Sequence, residues 1–374
     1  VGSEMCIRDS TERCTMVSGW IPAADVERAG AAIEPLGGSI AQLPGRRDLE
    51  PPTAYTDSAL GTSFRPLVTT YTTIPYRDLD PTLFAAIAYL LMFGMMFGDV
   101  AHGAAIVVVG LMALAGASER IGRLRSAAPF LIGAGAAATV FGLLYGEAFG
   151  PTGLVPTLWM RPLEEPERFL LAGLAVGGVL LALTMIGATV NRWRERGATA
   201  AALDASGLAG TLLLFGVAGF VIGSASSISA VQYTGVVTAA IGAALTFVGL
   251  VAKSPTGPAG FAEAVVEMFD TVLRLGSNIV SFARLAAFGL THAVISEVVW
   301  DGTVHLWDRS TIPAAIGAAA LFALGNLAAF ALGALVAAIQ ALRLEYYELF
   351  SRLFVSQGRA FEPWHVPAQR MEPS

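Results

Sequence analysis

The chain has 374 residues, 55% of them hydrophobic and only 14% charged, with a formal net charge of −6. Soluble globular domains carry about 25% charged residues, so this balance describes a polytopic membrane protein. The acidic excess, with no basic stripe bearing interleaved aromatics, excludes nucleic acid as a partner. The only lysine, Lys253 in "GLVAKSPTG", follows alanine, not the glycine that a phosphate-cradling loop needs, so the chain has no ATP site of its own. Cys6 and Cys14 make no disulfide framework. His102, His292, His305 and His365 show no metal-ligand spacing, and no cofactor is expected.

In chain order, "VGSEMCIRDS" (residues 1–10) continues no recognisable pattern and is set aside as artefactual. No basic segment precedes an apolar core there, so a signal peptide is not expected. Residues 11–45 read as the remnant of a cytoplasmic α/β domain. "TMVSGWIP" suggests a strand, "AADVERAGAAIEPLGG" a short helix ended by Gly37 and Gly38, and "SIAQLP" a second strand. This is too little chain to bury a core alone. Residues 46–81, rich in Pro, Thr and Asp, read as a linker.

Residues 82–357 form the transmembrane domain. A span needs about 20 apolar residues to cross a hydrocarbon core of about 30 Å. The apolar runs predict eight spans: 82–97, 101–117, 127–146, 168–190, 202–223, 231–252, one near 260–300 and one near 313–357. The first two are a single run interrupted at "FGDVAHG". Arg120, Arg123, Arg125, Arg192, Arg194, Arg196 and Lys253 then share one side with both termini, which the bias of basic residues makes cytoplasmic. Residues 358–374 become a cytoplasmic tail. The expected fold is an all-α polytopic membrane protein of eight helices with a small α/β remnant at the N-terminus. At 1.5 Å per residue the last two helices reach about 60 Å, so they tilt or project. Glu263, Glu267 and Asp270, followed by Arg274, read as a solvated face at the start of the seventh.

"SFARLAAFGLTHA" (281–293) places Arg284 at membrane depth, where a charge costs at least roughly 2.5–3.5 kcal/mol on insertion scales. Arg284, Phe288, Thr291, His292 and Ile295 share a helix face. Gln340, Arg343 and Tyr347 share one on the antiparallel eighth helix, which brings Gln340 and Arg343 near Arg284. No comparably central carboxylate lies on either helix, so the balancing negative charge is expected from another subunit. Arginine stays protonated at biological pH and cannot relay a proton by releasing it. Its fixed potential instead lowers the pKa of a passing carboxylate, which then releases its ion. Thr291, His292, Ser296 and Glu297 lie outward of Arg284 as candidate lining of an outer half-channel, Glu297 about 20 Å away along the axis. The plainer readings are a hydrogen-bonded structural His292 and an interfacially solvated Glu297. Asp99 and His102 read as a hydrogen-bonded corner between helices, and Glu147 as a solvated boundary carboxylate. His305 and His365 are expected in exposed segments.

Four motifs, "DPTLFAAIAYLLMFGMMFGDVAHG", "FGLLYGEAFG", "SNIVSFARLAAFGLTHAVIS" and "ALRLEYYELFSRLFVSQGRAFEPW", together resemble the membrane half of subunit a, or subunit I, of the V-type and A-type rotary ATPases, over residues 80–371. "MVSGWIPAADVERAGAAIEPLGG" resembles the last lobe of that subunit's cytoplasmic domain. The resemblance implies a stator subunit of the bacterial or archaeal plasma membrane, without catalysis of its own, that passes H⁺ or Na⁺ along a ring of proteolipid c subunits. Arg284 occupies the position of the family's ring-facing arginine. His292, Arg343 with Gln340, and Glu348 match further family positions. Gly333 stands where eukaryotic members carry glutamate. The resemblance also implies that peripheral-stalk subunits bind a large cytoplasmic domain, most of it lost here by truncation. The alternative, a stand-alone secondary transporter, expects internal repeats and interrupted helices. No convincing repeat is present, and the two longest helices read as continuous. An intramembrane enzyme would need acids and histidines that cluster.

Overall fold

The computed structural model describes residues 7–10, 15–44, 49–55, 59–117, 122–354 and 357–363. Expectations for Cys6, Cys14, Arg120, His365 and the segments 1–6 and 364–374 lie outside these residues. The chain divides into two compact units, one holding residues 1–57, 72–76 and 356–374, the other residues 58–71 and 77–355.

In the smaller unit, strand β1 (Ile7–Ser10) pairs antiparallel with β2 (Thr15–Ser18), Ile7 opposite Ser18. Ile7–Ser10 lies within the segment set aside as artefactual. Helix α1 (Val26–Ile33) follows, continued by a tight turn at Glu34–Leu36. It stops at Gly37, whose φ of 77° suits a residue without a side chain. The expected strand at 39–44 does not form, because no described edge pairs with it. Thr53 instead bridges to the tail: its N–H donates to Arg359 O (2.7 Å), and Phe361 N donates to Thr53 O (3.0 Å).

The larger unit is all helix. Helix α2 (Ala59–Thr69) lies inside the stretch expected as a linker, and its buried Phe64, Leu67 and Val68 explain why it folds. Next come α3 (Thr82–Met96), α4 (Val100–Ala115), α5 (Ala128–Tyr145), α6 (Pro166–Arg196) and α7 (Ala198–Leu203). They are followed by α8 (Leu208–Ala225), α9 (Ser229–Lys253), α10 (Pro258–Ser281), α11 (Ala283–Trp307) and α12 (Ile312–Leu344). A π-helical turn, Glu345–Phe350, and a last short helix, α13 (Ser351–Leu353), end the unit. Among the described residues, six segments are long and apolar enough to cross a membrane: Arg125–Tyr145, Pro166–Arg196, Ala198–Ala225, Ser229–Lys253, Pro258–Trp307 and Ile312–Leu353. The 15 residues of α3 and 16 of α4 are apolar but shorter; at 1.5 Å per residue they reach about 22–24 Å. Arg192, Arg194 and Arg196 occupy the end of α6, not a loop. Arg192 is fully buried and bonded to Glu195 Oε2 (3.0 Å).

Neither of the two longest helices is regular throughout. At Phe282 the backbone tightens: Phe282 N donates to Ile279 O (3.1 Å) and Leu285 N to Phe282 O (3.0 Å), three residues apart where an α-helix uses four. The buried Phe282 ring fills a slot over Gly177 of α6, which a Cβ there would occupy. At the end of α12 the ladder widens into the π turn. Both irregularities flank the same polar site.

Glycine sets the corner between α3 and α4. A Cβ at Gly142 of α5 would collide with the backbone of Asp99 and Val100, so α5 meets that corner backbone to backbone. Gly142→Ala is expected to destabilise the protein by about 1–3 kcal/mol through overpacking. Gly178→Ala, with nothing within 4 Å of the added Cβ, should leave stability unchanged or raised. Thermal unfolding of both variants in detergent, followed by tryptophan fluorescence, checks the contrast.

Candidate functional site

Arg284 sits in the first turn of α11, half-buried, just past the tightened backbone at Phe282. Its Nη2 donates to Ser281 Oγ (2.8 Å), and Ser281 Oγ donates to Glu348 Oε1 (2.5 Å) in the π turn. With the Asn278 amide turned to the orientation its neighbours satisfy, its nitrogen donates to Glu348 Oε2 (3.1 Å) and to Arg274 O (2.9 Å), and its oxygen accepts from Arg352 Nε (3.2 Å). Arg274 in turn pairs with Asp270. One face of α10 thus carries a continuous polar ladder up to Arg284. Helical spacing places its members there: 270, 274, 278 and 281 fall three or four residues apart.

The ladder holds Arg284 without a direct ion pair. Among the described residues no carboxylate lies within 4.0 Å of its guanidinium. Nη1 is buried without a hydrogen-bond partner. Arg284 feels the positive field of Arg343 and the negative field of Glu348. Arg343 itself is exposed, and Gln340, one turn before it, has a buried Oε1 without a partner. The π turn also buries Glu345 completely, with neither carboxylate oxygen hydrogen-bonded.

A second polar cluster lies further along α11. Asp99 caps α4, its Oδ1 accepting from His102 N (2.9 Å) and its Oδ2 from Gly150 N (3.2 Å). Asp99, His102 and His292 are all buried, and their ligand-capable atoms lie within 4.8 Å of one another. Phe97 packs on both imidazoles, with ring centroids 5.9 Å from His102 and 4.7 Å from His292. Phe330 of α12 and Phe149 close the cage around His102. Ser296 and Asn326 are buried nearby on α11 and α12, and each has a side-chain oxygen without a partner. A Cβ at Gly333 would come within 2.7 Å of His292 Nδ1, so the missing side chain leaves room for the imidazole. Glu147, in the loop after α5, borders this cluster. Burial first, then the charges of Asp99 and Glu297, push its carboxyl up to about 8.

Of the residues singled out in the sequence, Arg284, Arg343 and Glu348 come together around the α10–α11 junction, with Gln340 one turn away on α12. His292 and Glu297 belong to the second cluster, His292 about 12 Å along the axis from Arg284. Sequence reading placed His292 and Glu297 but took Asp99 and His102 only as a corner and Glu147 as solvated; all three are buried parts of the second cluster. It also missed Ser281 and Asn278. Their signal was present as two small polar residues three and six positions before Arg284. His305 is exposed beside Arg309, as expected.

The sequence pattern of the V-type ATPase 116kDa subunit family matches residues 4–150. Among curated proteins, the chain is similar to the A-type ATP synthase subunit I of Pyrococcus abyssi, 26% identical over 367 residues, covering 95% of this chain and 54% of that protein. It is similar to the same-named subunit of Aeropyrum pernix, at 28% over 343 residues and 79% and 49% of the two chains. For that of Halobacterium salinarum the figures are 27% over 383 residues, 84% and 51%. The chain spans about half the length of the curated relatives it matches. These matches liken the chain to the V/A-type ATPase subunit I (subunit a) family.

The hydroxyl of Ser281 makes two bonds to charged groups, each of a kind worth about 1.5–3 kcal/mol. Ser281→Ala should therefore lower unfolding stability in detergent by about that much. Ser277→Ala, on the exposed face of α10, should change it by less than about 0.5 kcal/mol.

Proposed function

We propose that this chain is a stator that passes H⁺ or Na⁺ along a ring of partner carboxylates, and that Arg284 is its essential charge. One observation carries the reading. Arg284 is held in place by a neutral hydroxyl, and among the described residues no carboxylate makes a direct ion pair with it. A guanidinium in an apolar setting stabilises an anion brought close to it. A carboxylic acid carried past in its neutral form would ionise beside Arg284 and give up its proton; a carboxylate carrying Na⁺ would release the metal ion.

Two paths then lead to that point. Asp270, Arg274, Asn278, Glu348 and Ser281 form a polar ladder up one side, toward the start of α10. Glu147, Glu297, Ser296, Asp99, His102 and His292 form the other group, toward the loop after α5. Arg343 and Gln340 widen the positive, polar zone between the two. The fixed charge of Arg284 keeps the groups apart, because a proton crossing directly meets a repulsive cation.

The reading makes eight spans of the six long segments plus α3 and α4. It puts both termini in the cytoplasm, the side favoured by Arg123, Arg125, Arg194, Arg196 and Lys253. Partners in this reading are the c-ring proteolipids and the peripheral-stalk subunits. Without a nucleotide site, the chain contributes ion passage while other subunits handle ATP. The backbone departures at Phe282 and Glu345–Phe350 are features that a stand-alone transporter also uses. The family likeness favours the stator.

In a complex carrying this membrane half, Arg284→Ala should abolish ATP-driven ion uptake into reconstituted vesicles while ATP hydrolysis by the detached soluble part persists. Unimpaired uptake would sink the reading. Arg343→Ala should reduce uptake less, since Arg284 and Gln340 remain. An equally complete loss would reverse the ranking of the two arginines.

A further inference from the structure

We propose that Asp99, His102 and His292 form a binding site for a borderline dication of the Zn²⁺ type, closed by α11 and α12. The donor set is two imidazoles and one carboxylate, which suits Zn²⁺; Ca²⁺ and Mg²⁺ favour all-oxygen sets, and Cu⁺ favours sulfur. All three ligand-capable atoms lie within 4.8 Å of one another, and His102 Nδ1 is already 3.5 Å from Asp99 Oδ1. Zinc bonds of about 2.0–2.1 Å place tetrahedral ligand atoms about 3.3–3.4 Å apart, so small rotations of the rings close the site.

The state of the nitrogens carries the argument further. Both ring nitrogens of His292 are buried without a hydrogen-bond partner among the described residues, and the buried His102 ring has only the Asn326 backbone and Asp99 Oδ1, 3.5 Å from its Nδ1, for polar company. Buried polar groups left unpaired are uncommon in folded proteins, and an ion is one of the few things that satisfies them. Two of the four nitrogens would be satisfied at once by one dication, and the buried Asp99 would gain a counter-charge. Asp99 keeps the capacity to bind: its oxygens accept only from His102 N and Gly150 N, which leaves lone pairs on each. A fourth position has candidates in Ser296 Oγ, one turn along α11 from His292, and Asn326 Oδ1; both are buried and unpartnered. Phe97, Phe149 and Phe330 pack around the His102 ring and hold it in place. Such outer packing fixes ligand orientation.

Binding is read without turnover, so it stands or falls separately from the stator reading. Where that reading holds, a bound metal would also occupy the nitrogens of the second path and halt ion flow.

The full chain, purified in detergent and dialysed against Co²⁺ as a spectroscopic stand-in, should take up one ion. It should show the intense visible bands of four-coordinate cobalt, lost on adding Zn²⁺ and unaffected by excess Mg²⁺. His102→Ala and His292→Ala should each raise the Kd at least about 100-fold, whereas His305→Ala, on an exposed turn, should not. Zinc-edge X-ray absorption of the unaltered protein provides a reading that needs no variant to fold, and two imidazoles in the first coordination shell are expected. Weak six-coordinate cobalt bands, a shell with fewer than two imidazoles, or undiminished binding in both histidine variants would overturn the assignment.

Discussion

A guanidinium without a direct ion pair inside an apolar helix bundle is the constraint around which the larger unit is arranged. A charge of that kind is costly wherever water is excluded, and the chain answers with a hydroxyl in contact and its carboxylate one step further off. Ser281 receives the guanidinium and passes its own proton donation to Glu348, so the nearest carboxylate is kept one hydroxyl away. Direct contact would have produced a buried ion pair, stable but electrostatically silent to anything outside. Inserting a hydroxyl preserves the positive field at the cost of a less stable site, a trade that makes sense where the field itself is needed.

The backbone bends to make this arrangement. A regular α-helix running from Pro258 to Trp307 would keep a constant pitch through Arg284. The tightened turn at Phe282 interrupts it as the ring drops over Gly177. On the facing side the π turn shifts the side chains of Glu345–Phe350 relative to the α12 register and presents Glu348 to Ser281. Departures from α geometry leave some backbone groups less well bonded and tend to mark places where side-chain position matters more than helix stability.

The second cluster is built by close approach. Gly142 lets α5 touch the corner that carries Asp99, and Gly150 donates its N–H to the same carboxylate. Gly333 vacates the space beside His292. Small residues take the place in a membrane bundle that shape-matched apolar side chains take in a soluble core. Here they bring polar side chains from α4, α11 and the loop after α5 into one buried volume.

Sequence alone determined the class of the molecule. Apolar runs of spanning length, the scarcity of charge and the isolated Arg284 all follow from composition and period, which the chain carries locally. The family likeness was likewise legible, because four motifs in order are a one-dimensional pattern. Tertiary structure decided the rest. It showed that the supposed linker contains a packed helix, that Ile7–Ser10 pairs with Thr15–Ser18, and that Arg192 is a buried structural charge and not a loop cation. Above all it brought Asp99 and His102 to His292, residues separated by almost two hundred positions, and set Ser281 between Arg284 and Glu348. Helical periodicity states which face a side chain occupies. Which other helix meets that face depends on the packing of the whole bundle, and no local spacing records it.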